Sequence, residues 1–141
     1  MFGKRATDRR HPEVIGMARI LIAENNDPVR WSLTSLLQFE GHKVDQASDG
    51  RQALARFADH PSDLVLMDVY MPYMDGLEAC RRLRQDSDVP ILMLSSTGEA
   101  SVQQMAFGSG ANAFLPKPLE LEGLLTWVRT ISSAQVHGDY D

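Results

Sequence analysis

Glu24, Asn25, Asp68, Ser95 and Lys117 together hold the side-chain types that phosphoryl transfer needs. Asp68 closes the stretch LVLMD, four apolar residues running straight into a carboxylate. An ionised carboxylate is costly to take out of water unless something compensates it, so its partners must lie elsewhere in the chain. Glu24 and Asn25 follow the apolar run ILIA and bring acidic and amide oxygens, donors suited to a hard divalent cation such as Mg²⁺. Lys117 supplies a cation for Asp68 or for a phosphoryl group, and Ser95 a hydroxyl for a phosphoryl oxygen. A carboxylate can itself accept a phosphoryl group. A metal ion and a lysine stabilise the charge that develops in the transfer. Each residue alone reads as a strand-end turn or helix cap, where Asp and Ser are common; the ordered combination carries the signal.

These residues converge only if the chain builds a sheet whose strand ends meet. Two periods alternate along it. The runs 20–23, 64–67 and 91–94 are short and continuously apolar, as in strands buried on both faces. Residues 113–115 form a further strand, and the more polar 44–47 fits a sheet edge. Between them, apolar residues recur at helical spacing: Val29, Leu33, Leu36 and Leu37, stopping near Gly41; Ala53, Leu54, Phe57 and Ala58, opened by Ser48 or Asp49; Leu77, Cys80, Leu83 and Arg84, capped by Asp75. Val102, Met105 and Ala106 predict a short fourth helix broken by GSG at 108–110. Leu121, Leu124, Leu125, Val128 and Ile131 predict a closing one. Strands alternating with helices imply right-handed crossovers, a mostly parallel sheet and helices on both faces. Sites in such sheets form beyond the carboxyl ends of the strands, where all five chemical residues fall.

Length and composition narrow the function further. The 141 residues suffice for one domain, and 43% hydrophobic with 23% charged residues is ordinary for a globular protein. A net charge of −5 gives no global basic field for nucleic acid or anionic lipid. No apolar run approaches the roughly 20 residues of a membrane span, so no membrane insertion and no direct nucleic-acid contact are expected. The basic start MFGKRATDRR lacks the apolar segment of a secretory signal. Cys80 has no second cysteine to pair with, and a cytoplasmic setting follows. His11, His42, His60 and His137 show no metal-ligand spacing. The sequence predicts a flexible arm over 1–17, with Met17 a second candidate start, a domain over 18–132 and a disordered tail over 133–141.

The segments ILIAENNDPVR, LVLMDVYMPYMDG, ILMLSS and GANAFLPKP, in this order, resemble the response-regulator receiver family, the phosphoacceptor domains of two-component signalling. The resemblance covers about residues 18–132. It implies a flavodoxin-like doubly wound five-stranded parallel sheet in the order 2-1-3-4-5. It makes Asp68 the phosphoacceptor and assigns Mg²⁺ to Glu24, Asn25, Asp68 and the backbone carbonyl of Tyr70. Ser95 takes the family's hydroxyl position, Lys117 its lysine and Phe114 its aromatic switch position. The Lys117–Pro118 bond is expected cis, proline being the residue for which that isomer is accessible. Gly76 gives the turn after the acceptor its backbone freedom. The implied partners are a sensor histidine kinase or a histidine phosphotransfer protein, and a downstream protein target on the face made by the fourth helix, fifth strand and fifth helix. The only chemistry of its own would be self-phosphorylation from a donor and self-dephosphorylation, with no output domain attached.

One departure bears on mechanism. The family usually has aspartate where Asn25 stands. At an effective dielectric near 20, unit charges ~4 Å apart interact by roughly 4 kcal/mol, an upper bound. A net loss of one or two kcal/mol would weaken Mg²⁺ binding by about tenfold or more. A phosphorylation-independent interaction module on the same fold is therefore the competing reading. An aspartyl-nucleophile phosphatase of another α/β family needs a second acid two residues after the first, where this chain has Tyr70. A flavin site is disfavoured by the acidic loop after the first strand, which repels phosphate. Pro116 removes a backbone donor beside Lys117, and Leu119 stands where the family often has phenylalanine.

Overall fold

The computed structural model describes residues 17–138. The apolar runs become three central strands with every residue largely or fully buried except Arg19: β1 (Arg19–Ala23), β3 (Leu64–Asp68) and β4 (Ile91–Ser95). The polar β2 (Lys43–Ala47) and the half-buried β5 (Ala113–Pro116) form the two edges. All pairings are parallel, as the alternation of strands and helices predicts, in the order β2-β1-β3-β4-β5 that the family resemblance implies.

Because side chains alternate along a strand, the sheet splits its apolar residues between two cores. Ile20, Ile22, Leu64, Leu66, Leu92 and Leu94 pack against α1 (Asp27–Phe39) and α5 (Leu121–Gly138). Leu21, Ala23, Val65, Met67, Ile91 and Met93 pack against α2 (Gly50–Asp59), α3 (Gly76–Asp86) and α4 (Ala100–Gly108). Each fully buried Leu or Ile side chain contributes about 1.5–3 kcal/mol of transfer free energy.

Short polar side chains set where helices begin. Asn26, Asp49 and Asp75 accept the backbone N–H of Val29, Gln52 and Glu78, each at 2.9 Å. Of the two cap candidates for α2, Asp49 does the capping; Ser48 bonds the Gln52 side chain instead. Pro28 lies in the first turn of α1, where its missing N–H leaves no gap. Gly41, at φ 101°, takes the left-handed conformation that follows the end of α1.

Several boundaries differ from expectation. α5 continues to Gly138, beyond the limit of 132; Ala134 and Gln135 tolerate helix, and Gly138 is the next breaker. Residues 1–16 of the expected arm and 139–141 of the expected tail lie outside the described residues. Leu121 and Met105, members of the apolar stripes that predict α5 and α4, are 52% and 50% exposed. Arg84, read within an apolar stripe, is a staple: its guanidinium donates to the carbonyls of Gly110 (2.9 Å) and Val89 (2.7 Å) and to Asn112 Oδ1 (2.8 Å). These bonds tie α3 to the loops around β4.

Leu66 is fully buried and Phe39 is 88% exposed. In urea denaturation, Leu66→Ala should lose about 2–5 kcal/mol, whereas Phe39→Ala should change stability by less than about 0.5 kcal/mol.

Candidate functional site

Strand register brings the acidic residues together. Ala23 is paired with Met67 across β1 and β3, so the next residues of the two strands, Glu24 and Asp68, sit side by side at the carboxyl edge. Both are nearly out of solvent, Glu24 at 1% and Asp68 at 6% exposure. Lys117, just past β5, reaches between them: its Nζ lies 2.5 Å from Glu24 Oε1 and 3.3 Å from Asp68 Oδ2. The second oxygens are engaged by backbone. Glu24 Oε2 accepts the Asn26 N–H at 3.0 Å and Asp68 Oδ1 the Tyr70 N–H at 3.3 Å.

The backbone around the cluster is closely fitted. The Lys117 N–H donates to the Ser95 carbonyl at 2.6 Å, and the Lys117–Pro118 bond is cis. Gly76 packs so tightly on β3 that a Cβ there would lie 2.1 Å from the Asp68 carbonyl oxygen. That contact, rather than an unusual φ, requires glycine. Gly50 meets the same loop, donating to the Met74 carbonyl at 2.9 Å. Arg51 lies 4.3 Å over the Tyr73 ring, and Tyr73 has φ 68°, uncommon for a non-glycine residue.

The electrostatics follow from two carboxylates sharing one ammonium. Burial, reinforced by the negative field of Glu24 and only partly offset by Lys117, pushes Asp68 up to about 6. Burial opposes the charge on Lys117, but its hydrogen bond to Glu24 and the fields of both carboxylates outweigh it and hold its pKa above the usual lysine value. The cluster is one cation short of neutrality.

The remaining candidates are placed differently. Asn25 is exposed at the rim, and Tyr70 is 51% exposed. Ser95 is fully buried, and its Oγ accepts the Thr97 N–H at 3.2 Å. By strand alternation Ser95 follows Ile91 and Met93, whereas Asp68 follows Leu64 and Leu66, so the two start from opposite faces of the sheet. Phe114 is half-buried on the Ser95 side, against the core of α2, α3 and α4. Glu24, Asp68 and Lys117 are thus in contact, while Ser95 and Phe114 belong to the adjoining face.

Residues to which the sequence reading gave no role support the site. Arg30 donates to the Glu24 carbonyl (2.8 Å), Gln46 Oε1 (3.1 Å) and Asp27 Oδ1 (2.7 Å), which locks the loop between β1 and α1. Asn26 both caps α1 and holds Glu24; its position just before a first-turn proline was the available signal. Nothing local in the sequence marks Arg30. Among the described residues no three His, Cys, Asp or Glu side chains converge. Glu24 and Asp68 nevertheless bring two adjacent carboxylates, oxygen donors of the kind a hard cation such as Mg²⁺ takes.

The chain matches the family model described as response regulator receiver domain over residues 20–129. It is 43% identical over 114 residues to the response regulator MprA of Mycolicibacterium vanbaalenii, covering 80% of this chain and 49% of that protein. MprA of Mycobacterium avium is 41% identical over 114 residues, covering 80% and 50%. The chain therefore spans about half the length of the curated relatives it matches. Among solved structures it is similar to the chemotaxis response regulator CheY4 of Vibrio cholerae (TM-score 0.76, 33% identity, 82% of this chain and 98% of that one). It also resembles a two-component response regulator from Clostridium difficile (TM-score 0.79, 26% identity, 82% and 95%).

The raised pKa of Asp68 has a defined consequence for stability. The folded protein holds this proton to higher pH than the unfolded chain, so the contribution favours folding below about pH 4 and is lost as pH rises through about 6. Without divalent cations, Asp68→Asn should therefore be more stable than the parent at pH 7.5, by about 1–3 kcal/mol in urea denaturation. The gain should vanish by about pH 4.

Proposed function

The chain belongs to the response-regulator receiver family, and from that premise we propose that it is a Mg²⁺-dependent phosphoacceptor of a two-component or phosphorelay system, with Asp68 as the acceptor. Receiver domains are signalling switches rather than classical enzymes, and they generally use magnesium. The observation that carries the assignment is the contact of Lys117 with both Glu24 and Asp68 at the strand ends.

In the metal-free protein a pKa near 6 leaves Asp68 mostly ionised at pH 7, the form in which a carboxylate is a nucleophile. Its oxygen attacks the phosphorus of a phosphohistidine on a sensor kinase or histidine phosphotransfer protein. The new P–O bond forms as the P–N bond breaks, and the electron pair leaves on the imidazole. Lys117, already positioned between the carboxylates, pairs with a phosphoryl oxygen. When bound, Mg²⁺ supplies the charge compensation that lets an anionic acceptor meet an anionic donor, and Glu24, Asp68, Asn25 and the Tyr70 carbonyl are the groups that would hold it.

The phosphoryl group adds about 1.5–2 negative charges at pH 7. Ser95 then donates its hydroxyl to a phosphoryl oxygen, and Phe114, half-buried beside the same core, takes up the space released. The readout surface is the face of α4, β5 and α5. In support, Met105, Phe107 and Leu121 expose 44–52% of their surface there, and α4 carries no charged residue. A protein target is the fitting downstream partner, and a cytoplasmic setting belongs to the same reading. No helix among the described residues is long and apolar enough to cross a membrane.

Asn25 favours a second reading, a phosphorylation-independent interaction module. Incubation with acetyl phosphate over a range of Mg²⁺ concentrations, read by intact mass, separates the two. The expected result is one added phosphoryl group, absent in Asp68→Asn. Asn25→Asp should lower the Mg²⁺ midpoint about tenfold or more, from one to two kcal/mol of restored attraction. No added mass at high Mg²⁺ in folded protein would favour the interaction module.

A further inference from the structure

Two ties hold the start of α2 against the loop of residues 69–75, which follows Asp68. The Gly50 N–H donates to the Met74 carbonyl at 2.9 Å, and a Cβ on Gly50 would collide with that oxygen. Beside it, the Arg51 guanidinium lies 4.3 Å over the Tyr73 ring, within cation–π range. The turn under this stack is strained. Tyr73 has φ 68°, and the Met74 N–H donates back to the Pro72 carbonyl at 2.7 Å, the features of the rare γ-turn with positive φ. Such strain persists only where the surroundings hold it, yet Tyr73 is 79% exposed. Arg51 also stands against an ordinary preference. It is the second residue of α2, where a cation opposes the helix dipole.

We propose that Arg51, stacked on Tyr73, is a positioning residue for phosphoryl transfer; this rests on the reading of Asp68 as phosphoacceptor. The path from the stack to the acceptor is short. The loop is closed at its base, where the Gly76 N–H donates to the Val69 carbonyl at 2.8 Å. Its second residue, Tyr70, donates its N–H to Asp68 Oδ1 at 3.3 Å, and Lys117 Nζ lies 3.3 Å from the other oxygen, Oδ2. One side of the carboxylate is therefore held by the loop itself. When the stack is lost, the strained turn relaxes, the loop draws away from α2, and the Tyr70 N–H leaves Oδ1. Asp68 then turns about its side-chain bonds, and fewer encounters with a phosphodonor find its oxygen aligned with phosphorus.

The test follows phosphoryl uptake from acetyl phosphate by intact mass at saturating Mg²⁺ in the full chain, with amide exchange of the ¹⁵N-labelled protein alongside. The variants are Arg51→Ala, Tyr73→Leu, their double mutant, and Tyr73→Phe, which keeps the ring. Arg51→Ala and Tyr73→Leu should each slow uptake about twofold to fivefold, the worth of an exposed cation–π pair. Exchange at the Gly50 and Tyr70 amides should speed by a similar factor. The double mutant should be no slower than either single one, since both remove the same contact, and Tyr73→Phe should match the parent. If Arg51 instead served by attracting the anionic donor, Arg51→Ala would be slow while Tyr73→Leu kept the parental rate. That result, additive losses in the double mutant, or unchanged exchange at Gly50 and Tyr70 would overturn the proposal. Absence of phosphoryl uptake by the parent would instead overturn the Asp68 reading, and this proposal with it.

Discussion

Two carboxylates on adjacent strands, kept almost entirely from water, share one lysine between them. Glu24 and Asp68 would repel one another by several kcal/mol at such distances in a medium of intermediate dielectric, and the Lys117 ammonium is the group that bonds both. The cluster remains one positive charge short. Burial, reinforced by that shortage, accounts for the raised pKa of Asp68, and the shortage gives a divalent cation a reason to enter a site with only two acidic side chains.

Much of the surrounding fold serves to hold this arrangement. A parallel sheet brings the ends of β1, β3, β4 and β5 to one edge, so residues 93 positions apart, Glu24 and Lys117, come into contact. The buried central strands leave those ends little freedom, and the loops are fixed individually: Arg30 and Asn26 hold the loop of Glu24, Gly76 closes against the Asp68 carbonyl, and Lys117 is bonded to the Ser95 carbonyl. Strand alternation then separates two tasks. Asp68 begins on the α1 and α5 face, while Ser95 and Phe114 begin on the face covered by α2, α3 and α4. Asp68 and the pair Ser95 and Phe114 are therefore neighbours across the pleat rather than members of one cluster.

The fold was readable because fully buried parallel strands appear as uninterrupted apolar runs, here at Ile20, Leu64 and Ile91, and because Asp75 is an unambiguous cap. The contact of Asp68 with Lys117 was readable from charge: a buried carboxylate demanded a cation. Long-range polar staples were not. Arg84 has helical spacing with Leu77, Cys80 and Leu83, yet its guanidinium serves loops 26 and 28 residues away. Arg30 carries no local signal at all. The exposure of Met105 and Leu121 was missed because helical periodicity specifies a face but not how far the sheet extends beneath it, and β5 is a short edge strand. The bonds at Ser95 and Thr97 depend on loop geometry that spacing does not encode.

The most direct test of the charge account is a ¹³C NMR titration of the Asp68 side-chain carboxyl, with and without Mg²⁺. The account predicts a midpoint near pH 6 in metal-free protein, falling by about one unit or more with saturating Mg²⁺ as the missing positive charge is supplied. A midpoint near the ordinary aspartate value, about 4, and insensitive to Mg²⁺ would mean that the cluster is already compensated, which would contradict the account.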